Sequence, residues 1–218
     1  MNFLVRNYLL KRRLRQDQQG IMSRYIAEQK FWASHLERTR NFIEGQLRNV
    51  PGDSRVAVLG SGWLLDVPLD FLSGHFREVL LADIRHPAQI RNKIASYPNV
   101  ACVETDLTGG PRDALLRLRP RKQTQLPQWE FQPEKLLNGK RPEVLLSVNI
   151  LSQLSHLLAD YMPGRWPDAL IQELHKTVQQ QHLSWLDTRP SLLITDYAQT
   201  IQDKKTGMEE HETLLKVG

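Results

Sequence analysis

The stretch VAVLGSGWLLDVPLDFLSGHFREVLLADIRHP, residues 56–87, decides the fold that this sequence predicts. Arg55–Leu59 is a short apolar run with β-branched residues and predicts a strand, and the turn Gly60-Ser61-Gly62 follows it at once. A second apolar run, residues 79–82, ends at Asp83, about twenty residues after the turn. This order of elements is half of a nucleoside-binding α/β unit: a strand, a glycine turn, a helix, a second strand and a carboxylate.

The chemistry of such a unit explains its residue types. Glycines at a strand exit let the backbone approach a ligand, because no Cβ lies between the two. A carboxylate at the end of the neighbouring strand accepts hydrogen bonds from both hydroxyls of a ribose. Gly60, Ser61, Gly62 and Asp83 are therefore candidate cofactor-binding residues. The alternative interpretation is a tight turn in an α/β protein that binds no nucleoside.

The residues after the glycine turn distinguish two classes of ligand. A dinucleotide fingerprint needs a small residue at position 65, and Leu65 is too large for close packing of helix on strand over a pyrophosphate. Pro68 predicts a helix that begins late, with Pro68 at its first helical position, and not directly at the turn. A late helix favours a nucleoside over a pyrophosphate.

The segment resembles the cofactor loop of class I S-adenosylmethionine-dependent methyltransferases. That family usually carries Gly-x-Gly-x-Gly and an acidic residue in the first strand. Here Leu64 occupies the last glycine position and Val58 the acidic one. The resemblance implies a Rossmann-like, three-layer α/β sandwich with a mostly parallel sheet, preceded by an N-terminal helical segment. It also implies S-adenosyl-L-methionine as the cofactor.

The resemblance extends to about residue 200. Val100–Glu104 is a third predicted strand, and the family often places an acidic residue after it that bonds the adenine amino group, which here implies Asp106. Residues 143–149, EVLLSVN, predict a central strand buried on both faces. Asn149 lies where the family lines the methyl-transfer site. Residues 191–197 predict a fifth strand.

The N-terminal segment, residues 1–50, carries the excess positive charge. It has ten Lys or Arg against four Asp or Glu, a balance of +6, whereas the other residues hold 19 against 20 and balance at −1. Residues 1–15 combine five basic side chains with apolar ones and no acid. They predict either an amphipathic helix that binds a polyanion, namely nucleic acid or an anionic membrane surface, or a solvated helical arm.

Residues 21–48 show the period of a long helix. The apolar residues that recur along one stripe are Tyr25, Trp32, Leu36, Ile43 and Leu47. In the methyltransferase family a helix ahead of the first strand often packs on the sheet and shapes the mouth of the active site. The resemblance therefore implies substrate contact by Trp32 and His35. The alternative is that Trp32 belongs to the core and His35 is a polar residue on its flank.

Composition and the missing motifs limit the function further. The chain has 218 residues, 40% hydrophobic and 24% charged, which predicts one α/β domain at residues 51–218 and an N-terminal appendage. It has no apolar run of membrane-spanning length, and its one cysteine, Cys102, is predicted to be buried and free, which favours the cytoplasm. The histidines at 175 and 182 are too far apart for an HExxH zinc site.

The sequence allows more than one structure for each of two segments. Residues 111–142 form a long insertion in which basic residues alternate with prolines and with Trp129 and Phe131, predicting either a surface for phosphates and bases or a mobile loop. About twenty residues follow the fifth strand, roughly half of what the family's antiparallel strand pair needs. The sheet therefore ends early, has a short last strand, or belongs to a truncated chain.

Three functions are compatible with these residues. The first is an S-adenosylmethionine-dependent methyltransferase of unknown substrate, with Gly60, Ser61, Gly62, Asp83 and Asn149 around the cofactor. The second is a non-catalytic protein that keeps the methyltransferase fold and acts as a binding or interaction protein. The third is a NAD(P)-dependent oxidoreductase, which Leu65 disfavours.

Overall fold

A five-stranded parallel sheet forms the centre of the molecule. The computed structural model describes residues 3–118, 124–156, 158, 166–202 and 209–215. Its strands are β1 (Arg55–Leu59), β2 (Glu78–Asp83), β3 (Val100–Glu104), β4 (Val144–Val148) and β5 (Ser191–Ile194). They pair in the order β3-β2-β1-β4-β5, every pair parallel, so the direction of winding reverses between β1 and β4. This confirms the predicted Rossmann-like α/β fold.

Six helices and a separate hairpin complete the described chain. The helices are α1 (Phe3–Leu47), α2 (Leu69–His75), α3 (Ala88–Ile94), α4 (Pro111–Arg117), α5 (Pro133–Leu136) and α6 (Asp168–Leu186). Strands β6 (Ala198–Gln202) and β7 (Glu209–Thr213) form a two-stranded antiparallel sheet of their own. None of the described helices is both long enough and apolar enough to cross a membrane.

The apolar strands place one hydrophobic layer on each face of the sheet. Alternate residues of β1 and β2 point to opposite faces, Val58 and Leu81 to one, Leu59 and Leu80 to the other. Helices α2, α3 and the C-terminal end of α1 cover the first face, whereas α4, α5 and α6 cover the second. Three layers result, and burial on both faces explains why β1, β2 and β4 are continuous apolar runs.

Helix α1 connects the two outer layers across the edge of the sheet. Leu36, Ile43 and Leu47 of the predicted stripe are buried, but Tyr25 and Trp32 are only half-buried. The helix is interrupted at Glu28, whose φ and ψ of −119° and 19° are not helical. Because α1 also contacts α4, its N-terminal part crosses the edge where the parallel strands end.

Several details differ from the sequence prediction. Helix α2 begins late, as predicted, but Pro68 is its N-cap and Leu69 its first helical residue. Strand β5 ends at Ile194, and the following β6–β7 hairpin does not extend the main sheet. Cys102 is free but only half-buried, because β3 is an edge strand with a neighbour on one side.

The aromatic rings of the insertion are half-buried and pack against the core. Trp129 Nε1 donates to Gln181 Oε1 at 3.0 Å, and the Phe131 ring lies edge-on to Trp185 at 6.3 Å. Both rings pack against the core on the α6 face of the sheet. The phosphate and base contacts expected of the insertion stay a prediction, although the packing of both rings reduces the area that a base could cover. The basic residues at 119, 121 and 122 lie outside the described residues.

Candidate functional site

A cavity of about 820 Å³ opens at the C-terminal edge of the sheet, under α1. Its floor comes from the residues that follow β1, β2, β3 and β4, because the carboxyl ends of parallel strands meet at one edge. The structure brings all eight residues singled out in the sequence to this cavity, namely Trp32, His35, Gly60, Ser61, Gly62, Asp83, Asp106 and Asn149.

Asp83 is a buried carboxylate at the end of β2. It is 7% exposed, and the Gly62 amide donates to its Oδ2 at 2.8 Å. Burial raises the pKa of Asp83 from 3.8 to about 6, although hydrogen bonds from the amides of Gly62, Arg85 and Ile84 lower it. The carboxylate is therefore mostly ionised at neutral pH, and no Lys or Arg among the described residues forms an ion pair with it.

The glycine turn has left-handed backbone at three positions. Gly60, Gly62 and Leu64 have φ of 82°, 42° and 56°. A Cβ on Gly60 would lie 2.7 Å from Ile150 Cβ and from the Val148 carbonyl oxygen, whereas a Cβ on Gly62 would meet nothing closer than 3.8 Å. Gly60 is thus required by packing, and Gly62 leaves open space above the turn.

Leu64 occupies the position of the last glycine in the motif that the sequence resembles. It keeps the left-handed backbone that a glycine would adopt most easily at this position, and its side chain is buried among core residues of β1 and β2. The loop therefore has the conformation of a glycine-rich turn although the last glycine is absent. Burial of the leucine side chain offsets the conformational cost, which is typically about 1–2 kcal/mol.

His86 lies beneath the glycine turn, and no sequence pattern pointed to it. Its Nε2 lies 2.9 Å from the Ser61 hydroxyl, and both residues are buried. Burial lowers the pKa of His86 to about 4, so the ring is neutral at pH 7. The Ser61 side chain is thus held by the protein interior, while the chain around it lines the cavity.

Asp106 lines the cavity but uses its carboxylate to build the turn after β3. Its Oδ1 accepts from the amide and the hydroxyl of Thr108 at 3.1 and 2.7 Å. Its Oδ2 lies 3.4 Å from Nε of Arg112, which also pairs with Asp113. Of the two carboxylate oxygens of Asp106, only Oδ2 can accept a further hydrogen bond from a ligand.

Asn149 has left-handed backbone, with φ of 50°, and its backbone amide donates to the Ile194 carbonyl at 2.8 Å. Its side chain donates from Nδ2 to Oδ2 of Asp66 at 2.5 Å. Burial raises the pKa of Asp66, while the bond from Asn149 and the charges of His35 and Arg40 lower it. Asp66 is a functional candidate that sequence reasoning missed, because 83 residues separate it from Asn149.

The N-terminal helix forms the opposite wall of the cavity. Trp63 Nε1 donates to the Gln18 carbonyl at 2.7 Å, and Gln18 Nε2 donates to the Arg85 carbonyl at 2.9 Å. These bonds join α1 to the glycine turn and to the loop after β2. Further along the helix, Trp32 and His35 also line the cavity. Part of α1 therefore belongs to the site.

No family model matches the chain, and no curated protein matches its sequence. Among solved structures, the chain is similar to one described as the DhpI-SAM-HEP complex, with 13% sequence identity and a TM-score of 0.38. The match covers 94% of this chain and 81% of the other. A TM-score of this size supports no conclusion about the site.

The fold and the cavity together define a class. The chain is a Rossmann-like α/β protein with a cavity at the C-terminal edge of its sheet, beside the point where the strand order reverses. Ligands of open α/β sheets bind at that point.

Proposed function

We propose that this protein binds S-adenosyl-L-methionine in the cavity and transfers its methyl group to a substrate. The observation that carries the proposal is the buried, ionised Asp83 at the end of β2, held against Gly62. Its carboxylate accepts three backbone amides but has no Lys or Arg partner among the described residues, and a ribose supplies two further donors on adjacent carbons. The cavity volume of about 820 Å³ is large enough for a nucleoside cofactor.

The lining residues divide among the parts of the cofactor as follows. Gly60, Ser61 and Gly62 would face the methionine end, and Asp83 would bind the ribose. Asp106 would bind the adenine amino group through Oδ2. Asn149 would border the methyl group, on the other side of β1 from Asp83. Holding the methyl carbon in line with a nucleophile supplies much of the rate enhancement in such a reaction.

The late start of α2 favours a nucleoside over a dinucleotide. Pyrophosphates bind where a helix begins directly at the glycine turn, because the free amides there point at the anion. Here the first helical residue is Leu69, seven positions after Gly62, and the helix has only seven residues. This region therefore offers no helix start beside the turn for the pyrophosphate of NAD(P)H.

Equilibrium titration of the purified chain tests the proposal. We expect S-adenosylmethionine and S-adenosylhomocysteine to bind and to raise the melting temperature, because a ligand that binds only the folded state stabilises it. NADH and NADPH should produce no shift at the same concentrations. Binding of NAD(P)H with no response to S-adenosylhomocysteine would favour the oxidoreductase instead.

The affinity for S-adenosylhomocysteine should depend on pH through Asp83. Ribose hydroxyls donate to the ionised carboxylate, whose pKa in the free protein is about 6. Affinity should be constant above pH 7 and fall as the pH drops to 5, approaching tenfold per unit below pH 6. Calorimetry at several pH values measures this. Asp83→Asn should remove the dependence, and an unchanged slope in that variant would contradict the assignment.

Binding of polyanions remains a separate prediction about residues 1–15. They precede Asp17, which is the first of the described lining residues. Deleting them should abolish any binding to anionic vesicles or oligonucleotides, which should itself fall steeply with salt, and should leave S-adenosylhomocysteine affinity intact. Co-sedimentation at low and high salt measures the first effect. If the full chain binds no polyanion at low salt, the arm is only a solvated extension.

A further inference from the structure

The cavity has a second carboxylate, Asp66, on the side of β1 away from Asp83. Asp66 bonds Asn149 at the end of β4, and Asp83 ends β2, with β1 between those strands. Neighbouring strands lie about 4.8 Å apart, so the end of β4, which Asp66 contacts, and the end of β2, which carries Asp83, are roughly 10 Å apart. If Asp83 binds the ribose, Asp66 lies on the side where the methyl acceptor must enter.

The charges of the cavity wall leave Asp66 without a counterion. Asp17 pairs with Arg13 at 3.2 Å, and Asp106 with Arg112 at 3.4 Å. No cation among the described residues lies within ion-pair distance of Asp66, although His35 and Arg40 act on it from farther away. Among the described side chains, the donor that bonds it is the neutral amide of Asn149. A ligand with a cation or an N–H donor would supply the partner that the Asp66 carboxylate lacks.

Aromatic rings line the same cavity. Phe31 is 84% exposed although it borders the cavity, and Trp32 and Trp63 line it as well. The Trp32 ring is held by an edge-on contact with Tyr25 at 6.2 Å and by a 3.4 Å bond from its Nε1 to Glu28. Aromatic faces attract ammonium groups, and an exposed ring at a cavity mouth offers a surface that a ligand covers.

We propose that the acceptor of this enzyme is an organic amine, bound between Asp66 and the aromatic residues of α1. The inference rests on the proposed function and names its substrate class. The bound ammonium first passes one proton to the Asp66 carboxylate, and the lone pair freed on nitrogen attacks the methyl carbon while the carbon–sulfur bond breaks with its electrons going to sulfur. The sulfonium becomes a neutral thioether, the product leaves as N-methylammonium, and Asp66 releases its proton to solvent.

An anionic acceptor fits the wall less well. Arg112 is shared by Asp106 and Asp113, so its charge is already neutralised. Among the described lining residues the other arginine is Arg24, which is exposed, and Arg40, which acts on Asp66 from outside the lining, donates to the Leu65 carbonyl at 2.5 Å. A carboxylate or phosphate beside Asp66 would meet like charge, which is unfavourable at a partly buried site.

Three probes that share a phenyl ring and differ in charge test the inference, namely benzylamine, benzyl alcohol and benzoate. Each is titrated into the full chain by calorimetry or ligand-observed NMR, with and without saturating S-adenosylhomocysteine. We expect benzylamine to bind at least tenfold more tightly than benzyl alcohol, and benzoate most weakly. The ranking is measured on the unmodified protein, so it does not depend on any variant. Equal binding of all three probes, or preference for benzoate, would overturn the proposal.

Asp66→Asn identifies the residue responsible. The variant should reduce benzylamine affinity at least tenfold and leave benzyl alcohol unaffected. Asp53→Asn is the matched control, because Asp53 is exposed and precedes β1 at the opposite edge of the sheet. Unchanged benzylamine affinity in Asp66→Asn would refute the role of Asp66. Failure of S-adenosylhomocysteine to bind would refute the proposed cofactor instead, and the titrations without it still decide the amine preference.

Discussion

Asp83→Asn is expected to weaken S-adenosylhomocysteine binding at least tenfold without destabilising the ligand-free protein. Each hydrogen bond from a ribose hydroxyl to a charged carboxylate contributes about 1.5–3 kcal/mol. Loss of the charge from one such bond already costs about a factor of ten in the dissociation constant. The same change in a residue that only held the fold would reduce stability first.

The pKa of Asp83 determines the sign of the stability effect. It is raised from 3.8 to about 6 by burial, so the folded state holds the proton more tightly than the unfolded state does. The associated stability is present below about pH 4 and is lost as the pH rises to 6, amounting to about 3 kcal/mol for two units. At pH 7.5, removing the charge of Asp83 recovers part of the lost stability. The asparagine side chain accepts hydrogen bonds from the backbone amides less well, which opposes this gain. We expect the free energy of unfolding to be unchanged or raised.

Calorimetric titration and urea unfolding at pH 7.5 measure both quantities on the same preparations. Asp53→Asn again serves as the control, because it removes one negative charge from an exposed position outside the cavity. It should change neither quantity. An unaltered dissociation constant in Asp83→Asn would remove Asp83 from the site, and a fall of several kcal/mol in unfolding free energy would make it a structural residue.

Gly60→Ala is expected to destabilise the protein by about 2–5 kcal/mol. Its φ of 82° disfavours any side chain, and the new Cβ would overlap Ile150 Cβ and the Val148 carbonyl oxygen at 2.7 Å. The conformational cost is about 1–2 kcal/mol, and the crowding adds about 1–3 kcal/mol. Because the Val148 oxygen is backbone at the end of β4, the strand itself must shift to make room.

Gly74→Ala provides the comparison for the same chemical change. Gly74 lies in α2, and a Cβ there would meet nothing within 4 Å. Alanine in a helix is more stable than glycine by about 0.5–1 kcal/mol, so this variant should be slightly more stable than the parent. Urea denaturation of the two variants measures the difference. Equal stability of both would show that the turn is not packed against β4 as described.

The central strands could be predicted because burial on both faces makes them continuous apolar runs. Strands β1 and β3 begin and end where the sequence predicts, and Asp83 ends β2. The late helix followed from Pro68, which fixes its own φ and cannot donate a hydrogen bond. These features are local, so neighbouring residues contain the information that determines them.

The remaining features of the site depend on contacts between distant parts of the chain. The Asp66–Asn149 pair spans 83 residues, and the Trp63–Gln18 bond spans 45. Leu64 seemed to break the glycine motif, because a sequence alone does not reveal that a leucine adopts left-handed backbone when the core buries its side chain. The packing of the insertion's aromatic residues could not be predicted for the same reason, since their partners lie on α6.

A crystal structure of the full chain with S-adenosylhomocysteine tests the central claim most directly. The ligand should lie across the ends of β1, β2 and β3, with both ribose hydroxyls within hydrogen-bond distance of Asp83 and the sulfur atom on the side of Asn149. A ligand bound elsewhere, or one in this cavity whose ribose makes no contact with Asp83, would contradict the proposed site.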